Sequence, residues 1–487
     1  MSRGAALFLR DNLEAFAVAI AMALVIRHFC LEAFRIPTRS MMPTLLGDEP
    51  PLHGDRILVD KYVYLRRAPE RYEVVVFQFP LNRSRNYIKR LAGMPGEWLR
   101  IVDGDLWASR DKGATWTIQR KPRGVRERLL FPYYPEPLRE ERSYDASANW
   151  HADDGWDVDE TAGRFGVDTD EHGAELVFDR RVAAYNDTDH GGGGFAVGDV
   201  RIRFRLVVAR AGEMEVTLQE HGRAHRLVLG AGGSAAVVAL RDGGEHRVPV
   251  DVRLAEGMTL DVSFANVDEQ LIVEISGDAA ASLEIPFPDT PPAPEAPRRP
   301  GGQGVPETEP TDWWDHRIAL RATGLASSVE DLRIDRDLYY NADYYERSAD
   351  REKAPDYVWE IPEGHYFMLG DNTQASSDSR VWKRAEFVLK DGSVIRYLDP
   401  TSRSSQDDPL NPHPVIPAGP PDTEVVVAAD LDGLVRRFTK GDIEDCEGQI
   451  VHPFVPEDHL VGRAFAIFWP IHIPRVYRGP TRVDLIR

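Results

Sequence analysis

A serine and a lysine in the N-terminal part of the chain have the residue types needed for nucleophilic chemistry. Ser40 lies in the run Ile36-Pro-Thr-Arg-Ser-Met-Met-Pro, where a proline on each side restricts the backbone and can hold the hydroxyl in one attack geometry. Lys89 follows Tyr87 and Ile88 and could lie on a strand that faces an apolar pocket. The alternatives are a serine in an ordinary turn and a solvated surface lysine.

A lysine can accept the serine proton only when it is neutral. Its reference pKa of ~10.4 must fall by about three units for half of the molecules to be deprotonated near pH 7.5, which costs roughly 4 kcal/mol. Desolvation among apolar side chains is the usual cause of such a shift. The candidate walls are Phe34, Tyr87, Ile88 and the Met41-Met42 pair. The chain has no Gly-x-Ser-x-Gly motif, so the residues favour a Ser/Lys pair over a nucleophile elbow.

An apolar segment comes directly before the serine loop. Of the 22 residues from Leu13 to Phe34, 18 are apolar. A helix of that length extends about 33 Å, enough to cross the ~30 Å hydrocarbon layer of a membrane. A buried amphipathic helix and a cleaved signal peptide are the alternatives, although Arg27-His28-Phe29 does not look like a cleavage site.

Composition excludes several classes of protein. The 487 residues include 59 Lys and Arg against 79 Asp and Glu, and the net charge of −20 argues against a nucleic-acid partner. Cys30 and Cys446 are the only cysteines, which excludes a disulfide framework and a zinc site built from several cysteines. We expect neither a metal nor a cofactor.

The elements that position Ser40 and Lys89 are predicted to be short antiparallel strands. Apolar runs at Arg56–Asp60, Glu73–Phe79 and Trp98–Val102 are bounded by Gly, Pro and Asp turns. Regular alternating segments between residues 144 and 341 predict a separate β-sandwich, for which a concanavalin/laminin-G-like outline is our guess. A proline-rich loop at 286–310 interrupts it. The predicted fold class is therefore mostly β.

Four motifs occur in order along the chain. They are Ser40-Met-Met-Pro-Thr-Leu, Gly54-Asp-Arg-Ile-Leu-Val-Asp-Lys-Tyr, Tyr87-Ile-Lys-Arg with Gly93-Met-Pro-Gly, and Gly370-Asp-Asn-Thr-Gln-Ala-Ser-Ser-Asp-Ser-Arg. Together with the ending Phe468-Trp469-Pro470, they closely resemble the type I signal peptidases, membrane-bound serine endopeptidases that use a Ser/Lys dyad. The resemblance implies an antiparallel β catalytic core behind one N-terminal transmembrane helix.

The resemblance also implies the roles of individual residues. Ser40 would be the nucleophile and Lys89 its general base, Thr38 would donate a hydrogen bond in the oxyanion hole, and Ser376 would orient the lysine. Structural support would come from Asp371, Asn372, Asp378 and Arg380. The implied substrate pockets are lined by Phe34, Ile36, Pro37, Met41, Leu45, Tyr87 and Ile88. Departures from the family pattern are found at Arg39, Thr373, Ala375 and Lys383.

By the same resemblance, the substrates are signal peptides of exported preproteins that have small residues at the first and third positions before the cleavage site. The expected location is the bacterial cytoplasmic membrane, in contact with its lipid, with a single span and the catalytic part on the outer side. A recognition protein on an inactive peptidase scaffold is the alternative. A self-cleaving repressor-type Ser/Lys protease is a further alternative, disfavoured by the membrane segment and the absence of a DNA-binding domain.

The motifs divide the chain into a catalytic core with two insertions. The predicted parts are a cytoplasmic N-terminus at 1–11, a transmembrane helix at 12–34, core at 35–107, a connecting segment at 108–143, the inserted sandwich at 144–341, core at 342–383, a second insertion at 384–455 and the final strand and tail at 456–487. The acidic residues between Asp153 and Glu160 predict a solvated loop or, as a sharper hypothesis, carboxylates that hold calcium. A glycan or protein ligand of the sandwich is a further hypothesis.

Overall fold

The computed structural model describes residues 12–22, 30–47, 54–135, 149–179, 182, 197–288, 316–340, 358–373, 376–398, 420–427, 430–431, 434–469 and 484–486. The chain divides into two compact units. The split unit comprises Met1–Leu99, Ser109–Ala114 and Ala342–Arg487, and the inserted unit comprises Arg100–Ala108 and Thr115–Asn341.

Strands dominate both units, and this confirms the mostly β fold class. Helix α1 is described over residues 12–22, and α2 is Arg123–Leu129. Strands β1–β8 are Leu31–Arg35, Arg56–Asp60, Val74–Phe79, Asn82–Gly93, Trp98–Val102, Asp105–Ser109, Thr117–Ile118 and Phe131–Tyr134. Strands β9–β22 are Trp150–Ala152, Trp156–Asp159, Arg164–Asp168, Ala174–Phe178, Val200–Arg210, Glu213–Glu220, Arg223–Gly230, Ser234–Ala239, Glu245–Val250, Thr259–Asn266, Gln270–Gly277, Ala281–Pro286, Arg317–Thr323 and Ala326–Arg336. Strands β23–β32 are Trp359–Glu360, His365–Leu369, Lys383–Leu389, Val394–Leu398, Glu424–Val427, Arg436–Thr439, Ile443–Val451, Phe454–Pro456, Leu460–Trp469 and Asp484–Leu485.

Helix α1 covers the first part of the predicted transmembrane segment. Its described residues are exposed. Among the described residues, no helix has both the length and the apolar character needed to cross a membrane. Residues 31–34, which the sequence analysis assigned to the transmembrane helix, instead lie in strand β1, which pairs with β2. Residues 23–29 of the predicted span lie outside the described residues.

The main sheet of the split unit positions the serine and the lysine. Its strand order is β1-β2-β31-β3-β4-β24-β30, and β32 pairs with β31. Alternate residues of β3 enter different apolar clusters: Val75 and Phe77 enter one, while Val74 and Val76 enter the other. This period of two is expected for a strand that is covered on both faces. A smaller sheet of β26-β25-β29 and the hairpin β27-β28 share a separate core around Phe387.

The inserted unit is a sandwich of two antiparallel sheets. One has the order β10-β11-β22-β13-β18-β19-β20 with β8 beside β22, and the other has the order β17-β16-β15-β14-β21-β12-β9. A single apolar cluster draws its residues from strands of both sheets, including Phe204 and Phe264 from the first and Val216 and Leu320 from the second. The predicted inserted β-sandwich is therefore confirmed, and the concanavalin/laminin-G-like outline stays a prediction.

Candidate active site

Strand β4 places Lys89 inside the split unit. Lys89 pairs with Val75 of β3, and alternation along β4 puts it on the same face as Tyr87 and Leu91. Both neighbours on that face pack in the cluster that contains Val75. The lysine side chain consequently lies among apolar groups, and the residue is only 4% exposed.

The loop after β1 carries Ser40 and is fixed at several points. Met41 and Leu45 are fully buried, and the Leu45 N–H donates to the Met41 carbonyl at 2.9 Å. Further along the loop, a Cβ added to Gly47 would lie 2.6 Å from the Thr38 carbonyl carbon, so only glycine fits this close approach. These anchors hold Ser40 in place, and its residue exposure is 7%.

Ser40 and Lys89 are brought into direct contact. Lys89 Nζ donates a hydrogen bond to Ser40 Oγ at 2.6 Å. Thr38 Oγ1 lies 3.3 Å from the same Ser40 Oγ. A nucleophile and a base within hydrogen-bond distance form the minimal geometry for covalent catalysis.

Burial lowers the pKa of Lys89 from its ordinary value of 10.5 to about 8. Desolvation is the main cause, because the charged ammonium loses its water in the apolar surroundings. The carboxylates of Asp378 and Asp371 oppose the shift, while the Arg380 guanidinium adds to it. A pKa of about 8 leaves about a tenth of the lysine neutral at pH 7, and this fraction rises with pH.

Two buried ion pairs hold the two carboxylates away from the lysine ammonium. Arg90 makes a bidentate pair with Asp371, at 2.8 Å from Nε and 2.6 Å from Nη2. Arg380 pairs with Asp378 in the same way, at 2.8 and 2.7 Å. Because both acids are engaged by guanidinium groups, the direct partner of Lys89 is a hydroxyl rather than a carboxylate.

The segment after β24 closes against the serine loop. The Asn372 N–H donates to the Ser40 carbonyl at 3.1 Å, and Asn372 Nδ2 donates to the Arg39 carbonyl at 3.2 Å. A Cβ on Gly370 would lie 2.5 Å from the Ser40 carbonyl oxygen and 2.0 Å from Ser376 Oγ, so this contact requires glycine. Ser376 Oγ is buried and has no hydrogen-bond partner among the described residues, and the expected bond to Lys89 is not formed there.

The seven predicted pocket residues fall into two groups. Ile36, Met41 and Leu45 are buried in the core beneath the site. Surface remains accessible on Phe34, Pro37, Tyr87 and Ile88. The Tyr87 ring stacks on Phe79 at 4.3 Å between centroids.

Two residues of the site were not singled out from the sequence. Arg90 is fully buried and holds Asp371, but its position next to the lysine gives no signal that separates it from a surface arginine. Trp382 is also fully buried, and its ring packs edge-to-face against Phe79, with 5.2 Å between the ring centroids. It forms part of the aromatic cluster behind Tyr87.

The residues best placed to hold a metal lie in the inserted unit. Within the described residues, only Asp105, Asp199 and Asp268 bring their carboxylate oxygens within 4.8 Å of one another. The acidic run from Asp153 to Glu160, in contrast, covers a turn and strand β10, and its carboxylates accept backbone N–H groups: for example, the Glu160 carboxylate accepts the Asn149 N–H at 2.8 Å. This favours the solvated loop over the calcium hypothesis for that run.

A buried lysine bonded to a serine hydroxyl is the arrangement of Ser/Lys peptidases. A family profile described as signal peptidase, peptidase S26 matches residues 9–131 and 325–395. In these segments the chain is similar to the signal peptidase S26 family. This confirms the resemblance on which the site roles were based.

Curated relatives agree with the family profile. Signal peptidase I of Pseudomonas aeruginosa is 35% identical over 142 residues, which cover 24% of this chain and 48% of the relative. Signal peptidase I of Buchnera aphidicola (subspecies Acyrthosiphon pisum) is 37% identical over 111 residues, covering 20% and 33%. The chain therefore spans a third to about half of the length of these relatives.

Solved structures also resemble parts of the chain. The VIP36 exoplasmic/lumenal domain has 9% identity and a TM-score of 0.26, covering 50% of this chain and 96% of that domain. The carbohydrate binding module CBM66 from Bacillus subtilis has 6% identity and a TM-score of 0.25, covering 39% and 97%. Scores this low carry no argument about the fold or the ligand of this chain.

Proposed function

We propose that the chain is a membrane-anchored signal peptidase I that cleaves signal peptides from exported preproteins, with Ser40 as nucleophile and Lys89 as general base. The observation that carries the proposal is the 2.6 Å hydrogen bond between Lys89 Nζ and Ser40 Oγ in a buried site. The lowered pKa of Lys89 supports it, because only the neutral amine can take the serine proton.

Acylation would begin with attack of Ser40 Oγ on the carbonyl carbon of the scissile peptide bond. Neutral Lys89 accepts the hydroxyl proton as the new C–O bond forms. The protonated lysine then gives that proton to the leaving amine nitrogen as the C–N bond breaks. The mature protein leaves with a free N-terminus, and the signal peptide remains as an ester on Ser40.

Deacylation would repeat the same proton transfers with water. Lys89 takes a proton from water, the hydroxide attacks the ester carbonyl, and the proton returns to Ser40 Oγ as the acid product leaves. One base thus serves both halves of the reaction, and no histidine is required.

The oxyanion of each tetrahedral intermediate needs hydrogen-bond donors. The Ser40 backbone N–H and the Thr38 hydroxyl are the proposed donors, and Thr38 Oγ1 is only 3.3 Å from the nucleophile oxygen. One such donor contributes about 3 kcal/mol to transition-state stabilisation. Ser376, Asp378 and Arg380 would position the lysine and the loop around it.

Substrate selection would depend on the shallow apolar surface beside the dyad. Phe34, Pro37, Tyr87 and Ile88 offer the accessible part of that surface, over the buried layer of Ile36, Met41 and Leu45. A surface closed from below in this way admits Ala or Gly and excludes bulky side chains. This supports cleavage of substrates that have small residues at the first and third positions before the cleavage site.

Helix α1 supports membrane anchoring. Its large apolar side chains are 46–67% exposed, a condition that is unfavourable in water over a continuous helix. They are Leu13, Phe16, Val18, Ile20 and Met22. We propose that α1 and the residues after it enter the bacterial cytoplasmic membrane once, with the catalytic part on the outer side. The scissile bond and the dyad would then meet at the membrane surface.

The inactive-scaffold alternative does not account for this geometry. A scaffold that only binds has no need of a buried lysine with a lowered pKa, which carries a cost in folding stability. A glycan or protein ligand of the inserted unit stays a prediction that the described residues leave open.

The test uses the full chain in detergent and a secretory precursor with Ala at the first and third residues before the cleavage site. We expect Ser40→Ala and Lys89→Ala to reduce cleavage by at least about 10⁴-fold, as is typical when a member of a catalytic unit is removed. Exposed residues of the same types provide matched controls, and Ser84→Ala and Lys390→Ala should cleave at the wild-type rate. Processing at the wild-type rate by both site variants would refute the assignment.

A further inference from the structure

Strand topology brings four aspartates to one end of a sheet in the inserted unit. Strand β13 lies between β22 and β18, and its first residue, Val200, pairs with Arg336 at the end of β22 and with Asn266 at the end of β18. Asp199, Asp337 and Asp268 lie one or two residues beyond these three paired positions. Asp105, at the start of β6, completes the group. The antiparallel register therefore gathers side chains that are far apart in the sequence.

Short contacts hold this aspartate cluster together. Carboxylate oxygens of Asp105, Asp199 and Asp268 lie within 4.8 Å of one another. The Asp268 N–H donates to Asp199 Oδ2 at 3.0 Å, and the Asp337 N–H donates to the Asp199 carbonyl at 2.9 Å. These bonds hold the Asp199 carboxylate and the backbone around it in place before any ligand arrives.

The aspartate cluster has too few cations for its carboxylates. Among the described residues, Lys121 is the one charged side chain that forms an ion pair with any of the four carboxylates. Its ammonium bonds to Asp268 and, at 2.7 Å, to Asp337 Oδ2. If all four carboxyl groups are ionised, one ammonium leaves an excess of negative charge in a buried place, which is relieved when a carboxyl group takes up a proton or when a further cation binds.

Two groups in the aspartate cluster lack the partners that buried polar atoms normally have. Asp105 is only 6% exposed, and its carboxylate makes no hydrogen bond or ion pair within the described residues. Asp337 Oδ1 is also buried and has no partner there. Buried acceptors without partners are rare in folded proteins and point to a ligand.

We propose that Asp105, Asp199 and Asp268 bind one Ca²⁺ ion, with Asp337 beside them, in the inserted unit. Hard oxygen ligands without sulfur or imidazole select cations of this class. Ligand oxygens at about 2.4 Å from one ion can be at most about 4.8 Å apart, so these three can share a single Ca²⁺. Ca²⁺ tolerates irregular oxygen sets, whereas Mg²⁺ demands a near-ideal octahedron.

Lys121 and the ion would then have separate tasks. Lys121 keeps Asp268 and Asp337 in position from one side, and both carboxylate oxygens of Asp268 accept hydrogen bonds from Lys121. The ion would bind Asp105 and Asp199, which Lys121 does not reach, and would share Asp268 with Lys121. Asp199 is only partly buried, which gives the ion a route from solvent. The bound ion would connect the ends of β22, β13 and β18 with the start of β6. This proposal does not depend on peptidase activity.

The first experiment is a calcium titration of the purified full chain after removal of bound metal with a chelator. Calorimetric titration should give one Ca²⁺ per chain, and the midpoint of thermal unfolding should rise by several degrees on addition of Ca²⁺. Mg²⁺ at the same concentration should have a smaller effect. Absence of binding by the wild-type chain, or stronger stabilisation by Mg²⁺ than by Ca²⁺, would overturn the proposal.

The second experiment compares variants. Asp105→Asn and Asp199→Asn should weaken Ca²⁺ binding by at least tenfold, while Asp157→Asn in the exposed acidic run should bind like the wild type. Without Ca²⁺, Asp105→Asn should be at least as stable as the wild type, because it replaces a buried carboxyl group that has no partner with a neutral amide. Retained affinity in both cluster variants would refute the site. Ser40→Ala should bind Ca²⁺ normally, which separates this test from that of the peptidase.

Discussion

The two units each contain a buried lysine, and the two lysines have opposite surroundings. In the split unit, Lys89 bonds to the Ser40 hydroxyl, and the nearby acids Asp371 and Asp378 are paired with arginines. In the inserted unit, Lys121 bonds directly to the carboxylates of Asp268 and Asp337. Burial is the same in both places, so the difference lies in which cation each carboxylate contacts.

This difference indicates that a buried lysine can act as a base only when the nearby carboxylates are paired with other cations. Desolvation favours the neutral amine, and a carboxylate in direct contact favours the ammonium. Desolvation is the main cause of the lowered pKa of Lys89. Arg90 and Arg380 support it by pairing with the two carboxylates that would otherwise hold the proton on the lysine.

The largest effect is expected from removing the ammonium in the inserted unit. Lys121→Met leaves two buried carboxylates without their partner, and breaking a buried pair from one side typically costs about 3–5 kcal/mol. We expect the free energy of unfolding to fall by that amount in urea denaturation without Ca²⁺. The control is Lys390→Met at an exposed position, which should change it little. An unchanged stability of Lys121→Met would mean that the two lysines do not differ as described.

The same substitution in the split unit should have the opposite sign. The pKa of Lys89 is about 8 when folded and 10.5 ordinarily, so protonation favours the unfolded chain. Below pH 8 the buried ammonium lowers the free energy of unfolding by its full amount, and this loss disappears as the pH rises from 8 to 10.5. The shift of 2.5 pKa units corresponds to about 3 kcal/mol. Lys89→Met should therefore stabilise the chain at pH 7, by up to about this amount, while abolishing cleavage. If urea denaturation showed that Lys89→Met is less stable than the wild type, burial of the Lys89 ammonium would not cost folding stability as described.

The smallest effect concerns the pH dependence of catalysis. Since the proposed mechanism uses neutral Lys89 as the base, kcat/KM should rise about tenfold per pH unit at low pH and level off above a pKa of about 8. The measurement is a pH profile with a peptide substrate, and thermal midpoints at each pH serve as the control for unfolding. A profile that is flat between pH 6 and 9 would exclude Lys89 as the base.

The sequence allowed the dyad to be predicted because its signal is local. Ser40 and Lys89 lie in short motifs, and proline, apolar neighbours and turn residues act over a few positions. The strands Arg56–Asp60 and Trp98–Val102 were predicted for the same reason, and the structure has the same bounds.

Features that depend on the register of strand pairing could not be predicted from short sequence motifs. The aspartate cluster joins residues from position 105 to position 337, and only the pairing of β22, β13 and β18 makes them neighbours. The acidic residues between Asp153 and Glu160, which the sequence suggested as calcium ligands, lie instead in a turn and in strand β10. At residues 31–34, apolar composition indicated helix, but these residues pair with β2 as an edge strand.

The placement of strand β31 has a consequence for the timing of synthesis. In the main sheet of the split unit, β31 lies between β2 and β3, although it ends at Trp469. A ribosome adds roughly 5–20 residues per second, so about 20–75 s separate the end of β4 at Gly93 from the end of β31. Throughout that interval the nascent sheet lacks the internal strand that joins β2 to β3. The site that contains Ser40 and Lys89 therefore cannot be completed in this sheet until β31 has been translated.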